Sequence, residues 1–164
     1  MPEYISVTDT AKLIRKALKA QFPNVKFSVQ SKSYSMGASI TVYWTDGPTT
    51  DAVDKIVKQF EGASFDGMID LKSYHSSMLD GREVHFDADY VFTQRSISNE
   101  DAKMELAKEL IRCTCYVETD DKGNERFGNE WIDQLANRIL WRQDYLKHDS
   151  LSDAMNKYFG HIRE

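Results

Sequence analysis

The stretch that decides the fold lies at residues 25–45 and reads VKFSVQSKSYSMGASITVYWT. Apolar and polar residues alternate from Val25 to Gln30, and they alternate again from Ser39 to Trp44. A period of two is typical of a strand with one buried face. A polar segment containing Gly37 separates the two runs, so the stretch predicts a β-hairpin. Because this connection is longer than a two-residue turn, residues 32–37 are expected to project as a loop.

Apolar residues with helical spacing flank the hairpin on both sides. Upstream, Ser6 is expected to cap a first helix that ends before Pro23. Downstream, a second helix is expected after the turn at residues 46–48, with Gly62 as its left-handed C-cap. Each helix has one apolar stripe and is therefore expected to cover one face of the sheet.

A third strand is expected from Val84 to Phe92, because apolar residues recur there at every second position and point inward. The same alternation places His85, Asp87 and Asp89 on the solvent side of this strand. Within residues 63–81, Asp66-Gly67 and Asp80-Gly81 are turn signals, and a short packed turn or helix is expected from Phe65, Met68, Ile69 and Leu71.

The C-terminal part of the sequence is predicted to be helical. Ser98 is expected to cap a third helix, which a polar loop separates from a fourth helix near residues 129–146. A last short helix is expected to open at Ser150 or Ser152.

The predicted order of elements is α-β-β-α-β-α, followed by further helices. This order favours an α+β fold, in which a three-stranded, largely antiparallel sheet is covered by helices and followed by a C-terminal helical extension. A chain of 164 residues is typical of one domain. We expect an α+β core at residues 1–98 and a helical extension at residues 99–164 that packs on it.

The composition excludes several classes of protein. With 41% hydrophobic and 29% charged residues, the chain is neither disordered nor collagen-like. No apolar run is long enough for a membrane span, and the first residues lack the pattern of a secretory signal. Cys113 and Cys115 are expected to be buried free thiols, which indicates a reducing, cytoplasmic compartment.

Charge is distributed unevenly along the chain. The first 45 residues contain six Lys or Arg against two acidic residues, whereas the whole chain has a net charge of −5. Such asymmetry is typical of a basic patch for nucleic acid or of an acidic surface for a basic protein. The uneven distribution of charge is equally consistent with a basic face and an acidic face that pack against each other inside one fold.

Four stretches are distinctive as a set. They lie at residues 31–37, 42–48, 60–70 and 84–92, and include YWTDGP and FEGASFDGMID. Through them, residues 5 to about 95 resemble the large polyvalent protein-associated domain 29 family, which occurs in proteins of phages, plasmids and other mobile elements. The resemblance implies an association with proteins that act on host defences or on invading DNA. It implies no established reaction and suits a small antagonist that works by binding.

The hairpin loop is the favoured contact surface. It offers hydroxyl donors, a cation, an aromatic ring and a thioether in five consecutive residues: Lys32, Ser33, Tyr34, Ser35 and Met36. This set suits a phosphate or the carboxylates of a partner. The alternative is that Gly37 only turns the chain and that the serines are solvated.

Further residues could bind nucleic acid. Tyr43 is expected on an open sheet face, where it could stack on a base. The first helix has a basic outer side formed by Lys12, Arg15, Lys16 and Lys19. Against this, the acidic chain lacks the dense basic pattern that tight phosphate binding needs.

No residues form a recognisable catalytic signature. Two of His85, Asp87 and Asp89 could converge on a metal ion, but a solvated strand face is favoured because no second ligand cluster has a suitable spacing. We therefore expect a protein without catalytic residues, metal or cofactor.

The leading hypothesis is a non-enzymatic protein that binds a host-defence protein, such as a CRISPR effector or a restriction enzyme. Acidic residues would complement its Lys- and Arg-lined nucleic-acid channel: Glu100, Asp101, Glu105, Glu109, Glu118, Asp120 and Asp121. They would equally suit a solvated helix face. The alternative function is a nucleic-acid-binding module that uses the first helix and the 32–37 loop. No membrane partner is expected, and a homodimer stays open.

Overall fold

The computed structural model describes residues 3–66, 68 and 71–144. The chain divides into two compact units. Unit 1 consists of Met1–Thr45 and Thr50–Ser96, and unit 2 consists of Asp46–Thr49 and Ile97–Glu164. The short helix predicted at Ser150 or Ser152 lies outside the described residues.

Unit 1 combines two α-helices with eight strands among its described residues. In chain order these elements are β1 Glu3–Ile5, α1 Val7–Gln21, β2 Ser28–Tyr34, β3 Gly37–Thr45, α2 Thr50–Val57, β4 Ala63–Asp66, β5 Leu71–Tyr74, β6 Ser77–Leu79, β7 Arg82–Phe86 and β8 Tyr90–Ser96. A single 3₁₀ turn, Lys58–Phe60, follows α2. The predicted α+β class is confirmed.

Three small sheets arise from these strands. The largest has the order β2-β3-β8, in which β2 pairs antiparallel and β8 pairs parallel to β3. A second sheet has the order β1-β7-β6, and β4 pairs with β5 in a third. The predicted sheet therefore exists, but it has a parallel third strand and is accompanied by two further sheets that the sequence pattern did not indicate.

The core of unit 1 lies between the helices and one face of the largest sheet. Ile14 and Leu18 of α1 are fully buried, as are Ile40 and Val42 of β3. The predicted cap is confirmed, because the Ser6 hydroxyl accepts the Asp9 N–H at the start of α1. We call the covered face of the sheet the inner face and the opposite one the outer face.

The predicted projecting loop is a tight turn. Tyr34 pairs with Gly37, so only Ser35 and Met36 connect β2 to β3. Lys32 and Ser33, expected in the loop, belong to β2 instead. The alternation fades in this part of β2 because Ser31 to Tyr34 are all exposed, so no apolar face marks the strand.

The predicted third strand is interrupted. It consists of β7, which ends at Phe86, and β8, which begins at Tyr90. Residues 87–89 between them belong to neither strand. The alternation of buried and exposed residues shifts by one position there, because Ala88 and Asp89 are both buried. Asp89, predicted on the solvent side, is therefore only 5% exposed, whereas Phe92, predicted to point inward, is 50% exposed.

The segment 63–81 contains strands instead of the predicted short packed turn or helix: Phe65 and Leu71 lie in strands, and residues 67, 69 and 70 lie outside the described residues. Strands β4, β5 and β6 lie in this segment, and each has only three or four residues. Such short strands show little periodicity, because a two-residue period needs several repeats to be recognised. The turn signal Asp80-Gly81 is confirmed, since both residues have positive φ angles between β6 and β7.

Gly62 is required for a reason other than the predicted left-handed cap. The φ angle of Gly62 is not positive, so its backbone is not left-handed. A Cβ atom at this position would lie 1.9 Å from the carbonyl oxygen of Phe86. The Gly62 N–H also donates to the Ala88 carbonyl at 2.8 Å. Glycine therefore permits a close approach of two backbone segments.

Unit 2 contains two helices and a small sheet among its described residues. Its elements are α3 Glu100–Thr114, β9 Glu118–Thr119, β10 Glu125–Phe127, β11 Glu130–Trp131 and α4 Ile132–Arg142. The three strands pair antiparallel, which replaces the predicted polar loop with a meander. Ile111 of α3 packs in a buried cluster with Leu135 and Ile139 of α4.

Ser98 does not cap α3 as predicted. Asn99 occupies the N-cap position without a side-chain cap hydrogen bond. The Ser98 hydroxyl instead donates to the carboxylate of Asp46 at 2.5 Å, and the Ser98 N–H donates to the same carboxylate at 2.9 Å. None of the described helices of either unit is long and apolar enough to cross a bilayer.

We predict that Gly62→Ala lowers the free energy of unfolding by about 3 kcal/mol, because its methyl group would force two backbone segments apart. Gly81→Ala serves as the control: it strains a positive φ but meets no atom within 4 Å, and should cost about 1 kcal/mol. Urea denaturation followed by circular dichroism measures both. Equal losses would contradict the close-approach explanation.

Candidate functional site

The outer face of the β2-β3-β8 sheet carries partly exposed aromatic rings. Tyr43 lies on this face, as predicted, because it alternates with the buried Val42 and Trp44. Tyr90 and Phe92 of β8 share the face, and their ring centroids are 6.1 Å apart. The same face carries hydroxyl and amide side chains, among them Gln30, Thr41 and Gln94.

The five candidate residues of the hairpin do not form one surface. Lys32 and Tyr34 point to the outer face, since they share its parity with Tyr43 in the β2–β3 register. Ser33 alternates with them and points the other way. Ser35 and Met36 form the turn, where Met36 is 84% exposed.

The basic residues of α1 lie on the other side of the sheet from Tyr43, because α1 covers the inner face. Lys12 pairs with Asp9 at 2.8 Å, and a guanidinium nitrogen of Arg15 donates to the Val29 carbonyl at 2.6 Å. Lys16 and Lys19 are exposed. The base-stacking ring and the basic helix of the nucleic-acid hypothesis are therefore not brought together.

In unit 2, the cations of α3 are engaged in ion pairs. Lys103 pairs with Asp46 at 3.0 Å, and Lys108 pairs with Asp133 of α4 at 2.5 Å and with Glu105 at 3.0 Å. Hydrogen bonds to Asp133 and then to Glu105 raise the pKa of Lys108, so it stays protonated.

Arg112 completes this set of paired cations. Its Nε donates to both carboxylate oxygens of Glu125 in β10, and its Nη2 donates to one of them. These hydrogen bonds lower the pKa of Glu125 and raise that of Arg112, which keeps both groups charged. The pair links the last turn of α3 to the small sheet.

The carboxylates of α3 point to solvent. Asp101, Glu105 and Glu109 are exposed and follow one another at intervals of four residues, on the side of the helix away from Ala107 and Ile111. Within the described residues, no hydrogen bond or ion pair engages the side chains of Asp101 and Glu109. With Glu100 at the first turn, we call these exposed carboxylates the acidic surface.

The acidic residues of the β9–β10 turn are partly used by the turn itself. Asp120 accepts the backbone N–H groups of Lys122 and Asn124 and the side-chain amide of Asn124, and these bonds, led by the amide, lower its pKa. Glu118 pairs with Arg126 at 3.3 Å, and Asp121 is exposed. This turn adds fewer unpaired carboxylates than α3.

The three residues considered for a metal do not share an environment. Asp89 is buried and pairs with Lys72 at 2.9 Å, whereas Asp87 is exposed and His85 stacks edge-on against Tyr4. Among the described residues, no group of three metal-binding side chains occurs. The hydrogen bond to Asp89 is the largest cause of the raised pKa of Lys72.

The role of Lys72 was not predicted from the sequence, and the cysteines differ from the prediction that both are buried. Lys72 lies in a segment without clear periodicity, and no sequence signal connects it to Asp89. Cys113 is exposed rather than buried, and Cys115 is partly buried. Cys113 lies on the solvent side of α3, four residues after Glu109 of the acidic surface.

Comparison with known proteins identifies a family. A family model described as large polyvalent protein associated domain 29 matches residues 5–98. No curated protein and no solved structure matches the chain.

We predict that Asp46→Asn lowers the free energy of unfolding by about 2 kcal/mol near neutral pH. Partial burial raises the pKa of Asp46, but hydrogen bonds from Ser98 and Lys103 outweigh burial and leave the pKa below its ordinary value. A lowered folded-state pKa stabilises above the unfolded value, about 3.9, and this contribution disappears as the pH falls through the lowered pKa.

The measurement is urea denaturation of wild type and Asp46→Asn at pH 7, 5 and 2.5. The difference in unfolding free energy should shrink towards zero at the lowest pH. Asp121→Asn, which removes an exposed carboxylate, is the control and should stay within about 0.5 kcal/mol of wild type. A pH-independent difference for Asp46→Asn would contradict the assigned role of this carboxylate.

Proposed function

We propose that this chain, which belongs to the large polyvalent protein associated domain 29 family, is a binding protein that antagonises a host-defence protein. Membership of the family associates the chain with phages and other mobile elements. Mobile elements meet host-defence nucleases on entry into a cell. The proposal is that the acidic surface of unit 2 engages such a nuclease.

The observation that supports this proposal is the separation of charge on α3. Its cations Lys103, Lys108 and Arg112 are paired with carboxylates of unit 2, while Asp101 and Glu109 remain unpaired within the described residues. A helix whose cations are neutralised in this way presents mainly negative charge to solvent. Asp101, Glu105 and Glu109 are spaced about 6 Å apart along the axis.

A row of exposed carboxylates is complementary to a channel lined by Lys and Arg. Host-defence nucleases bind the phosphates of their substrates in channels of this kind. A protein that occupies the channel competes with the nucleic acid, and its association is accelerated by opposite charges and slowed by salt. The antagonist needs no catalytic residue for this effect.

We predict that Glu105→Lys/Glu109→Lys weakens inhibition of a susceptible nuclease at least tenfold. The test measures DNA or RNA cleavage by purified CRISPR effectors and restriction enzymes from bacteria that carry the element, with increasing amounts of the chain. Added salt should weaken inhibition by the wild type more than inhibition by the variant, because fewer opposite charges remain.

Glu83→Lys/Asp87→Lys is the matched control. It changes the net charge by the same amount, at two exposed positions of unit 1. This control should inhibit within twofold of wild type. Equal inhibition by the unit 2 variant, or loss of inhibition in the control alone, would count against the acidic surface. A panel in which no nuclease is inhibited would count against the proposed function.

A further inference from the structure

On the β8 edge of the β2-β3-β8 sheet, side chains cover the backbone groups of Val91. On the β8 edge, Glu61 accepts the N–H of Val91 at 2.8 Å, and the Lys58 ammonium donates to the Val91 carbonyl at 2.7 Å. Glu61 and Lys58 also pair with each other at 2.6 Å. Side chains therefore occupy backbone groups that another strand would need, which is a common protection of edge strands.

The β2 edge can be mapped residue by residue. In an antiparallel pair, the backbone groups of alternate residues point away from the partner strand. Tyr34 and Gly37 close the two-residue turn as a hydrogen-bonded pair, so the groups of Ser33, Ser31 and Val29 point outward. Ala38, opposite Ser33, confirms this parity, because its carbonyl accepts an N–H from Asp89, away from β2.

Only one of these outward positions is covered among the described residues. Arg15 donates to the Val29 carbonyl at 2.6 Å. No described group bonds the outward N–H and C=O groups of Ser31 and Ser33, and both residues are exposed with small side chains. Two donors and two acceptors thus lie in a row, ready for an added strand.

The surroundings of this edge are basic. Arg15 reaches the edge itself, and Lys12 and Lys19 lie one helical turn to either side of it on α1. Lys32 adds a cation on the outer face of β2. The acidic residue on this side of α1 is Asp9, whose carboxylate is already paired with Lys12.

We propose that the free edge of β2 binds an extended acidic segment of another protein, which adds a fourth strand to the sheet. The backbone groups of Ser31 and Ser33 supply the hydrogen bonds, and Arg15 and Lys19 attract acidic side chains at alternate positions of the added strand. This surface belongs to unit 1 and does not depend on what the acidic surface of unit 2 binds.

The first test uses a fluorescent heptapeptide in which glutamate alternates with valine, and a matched peptide in which lysine replaces glutamate. Fluorescence anisotropy should show binding of the glutamate peptide at low salt and at least tenfold weaker binding of the lysine peptide. Amide hydrogen exchange followed by NMR should slow at Ser31 and Ser33 when the glutamate peptide is bound. Equal binding of both peptides, or unchanged exchange at both amides, overturns the proposal.

Variants of the chain provide the second test. Ser33→Pro removes an outward N–H without removing a hydrogen bond of the β2–β3 ladder, and Ser33→Ala keeps that N–H. Ser33→Pro should bind the glutamate peptide at least tenfold more weakly, and Ser33→Ala within twofold of wild type. Lys19→Glu should also weaken binding, whereas Lys122→Glu, an exposed charge reversal in unit 2, should not.

A modified probe covers the case in which Ser33→Pro does not fold. A glutamate peptide N-methylated at every second residue, on the edge that faces β2, cannot form the ladder and should lose binding to the wild type. Retained binding overturns the proposal. A homodimer that Ser33→Pro dissociates also overturns it, because the edge would then bind a second copy of the chain. Protection of Ser31 and Ser33 by oligo(dT) instead of the peptide overturns it as well, because the edge would then bind nucleic acid.

Discussion

The hydrogen bonds of three consecutive residues, 87–89, hold the sheets of unit 1 together. Asp87 donates its N–H to Ile5 of β1 at 3.0 Å, and the Ala88 carbonyl accepts from Gly62 at 2.8 Å. Asp89 donates its N–H to Ala38 of β3 at 2.8 Å, and its buried carboxylate pairs with Lys72 of β5. These three backbone groups thus find partners in other segments of the chain, as burial requires.

This junction also determines which surfaces the sheet exposes. The change of direction at residues 87–89 brings β8 parallel to β3, where α2 and the following turn supply Lys58 and Glu61 to its outer edge. The β2 edge keeps outward backbone groups at Ser31 and Ser33 that no described group bonds. In unit 2 the exposed charge has a different origin. Lys103, Lys108 and Arg112 of α3 pair with carboxylates, whereas Asp101 and Glu109 have no partner among the described residues.

The sequence predicts those parts of the structure that depend on neighbours in the chain. The cap at Ser6, the helical stripe through Ile14 and Leu18, and the buried face of β3 all follow from local periodicity. The break before β8 could not be predicted, because apolar residues recur at every second position of the sequence from Val84 to Phe92 without interruption. Burial of Asp89 depends on Lys72, which lies in a different hairpin.

The same distinction applies to the candidate sites. The acidic residues of α3 are visible in the sequence, but their availability depends on where Lys108 and Arg112 find partners, and these partners lie in α4 and β10.

The central claim is that the exposed carboxylates of α3 contact a basic partner. Its most direct test is hydrogen–deuterium exchange of the chain, free and in complex with an inhibited host-defence nuclease. The claim predicts slower exchange in residues 100–110, reversed by added salt, and slower exchange confined to unit 1 would contradict it.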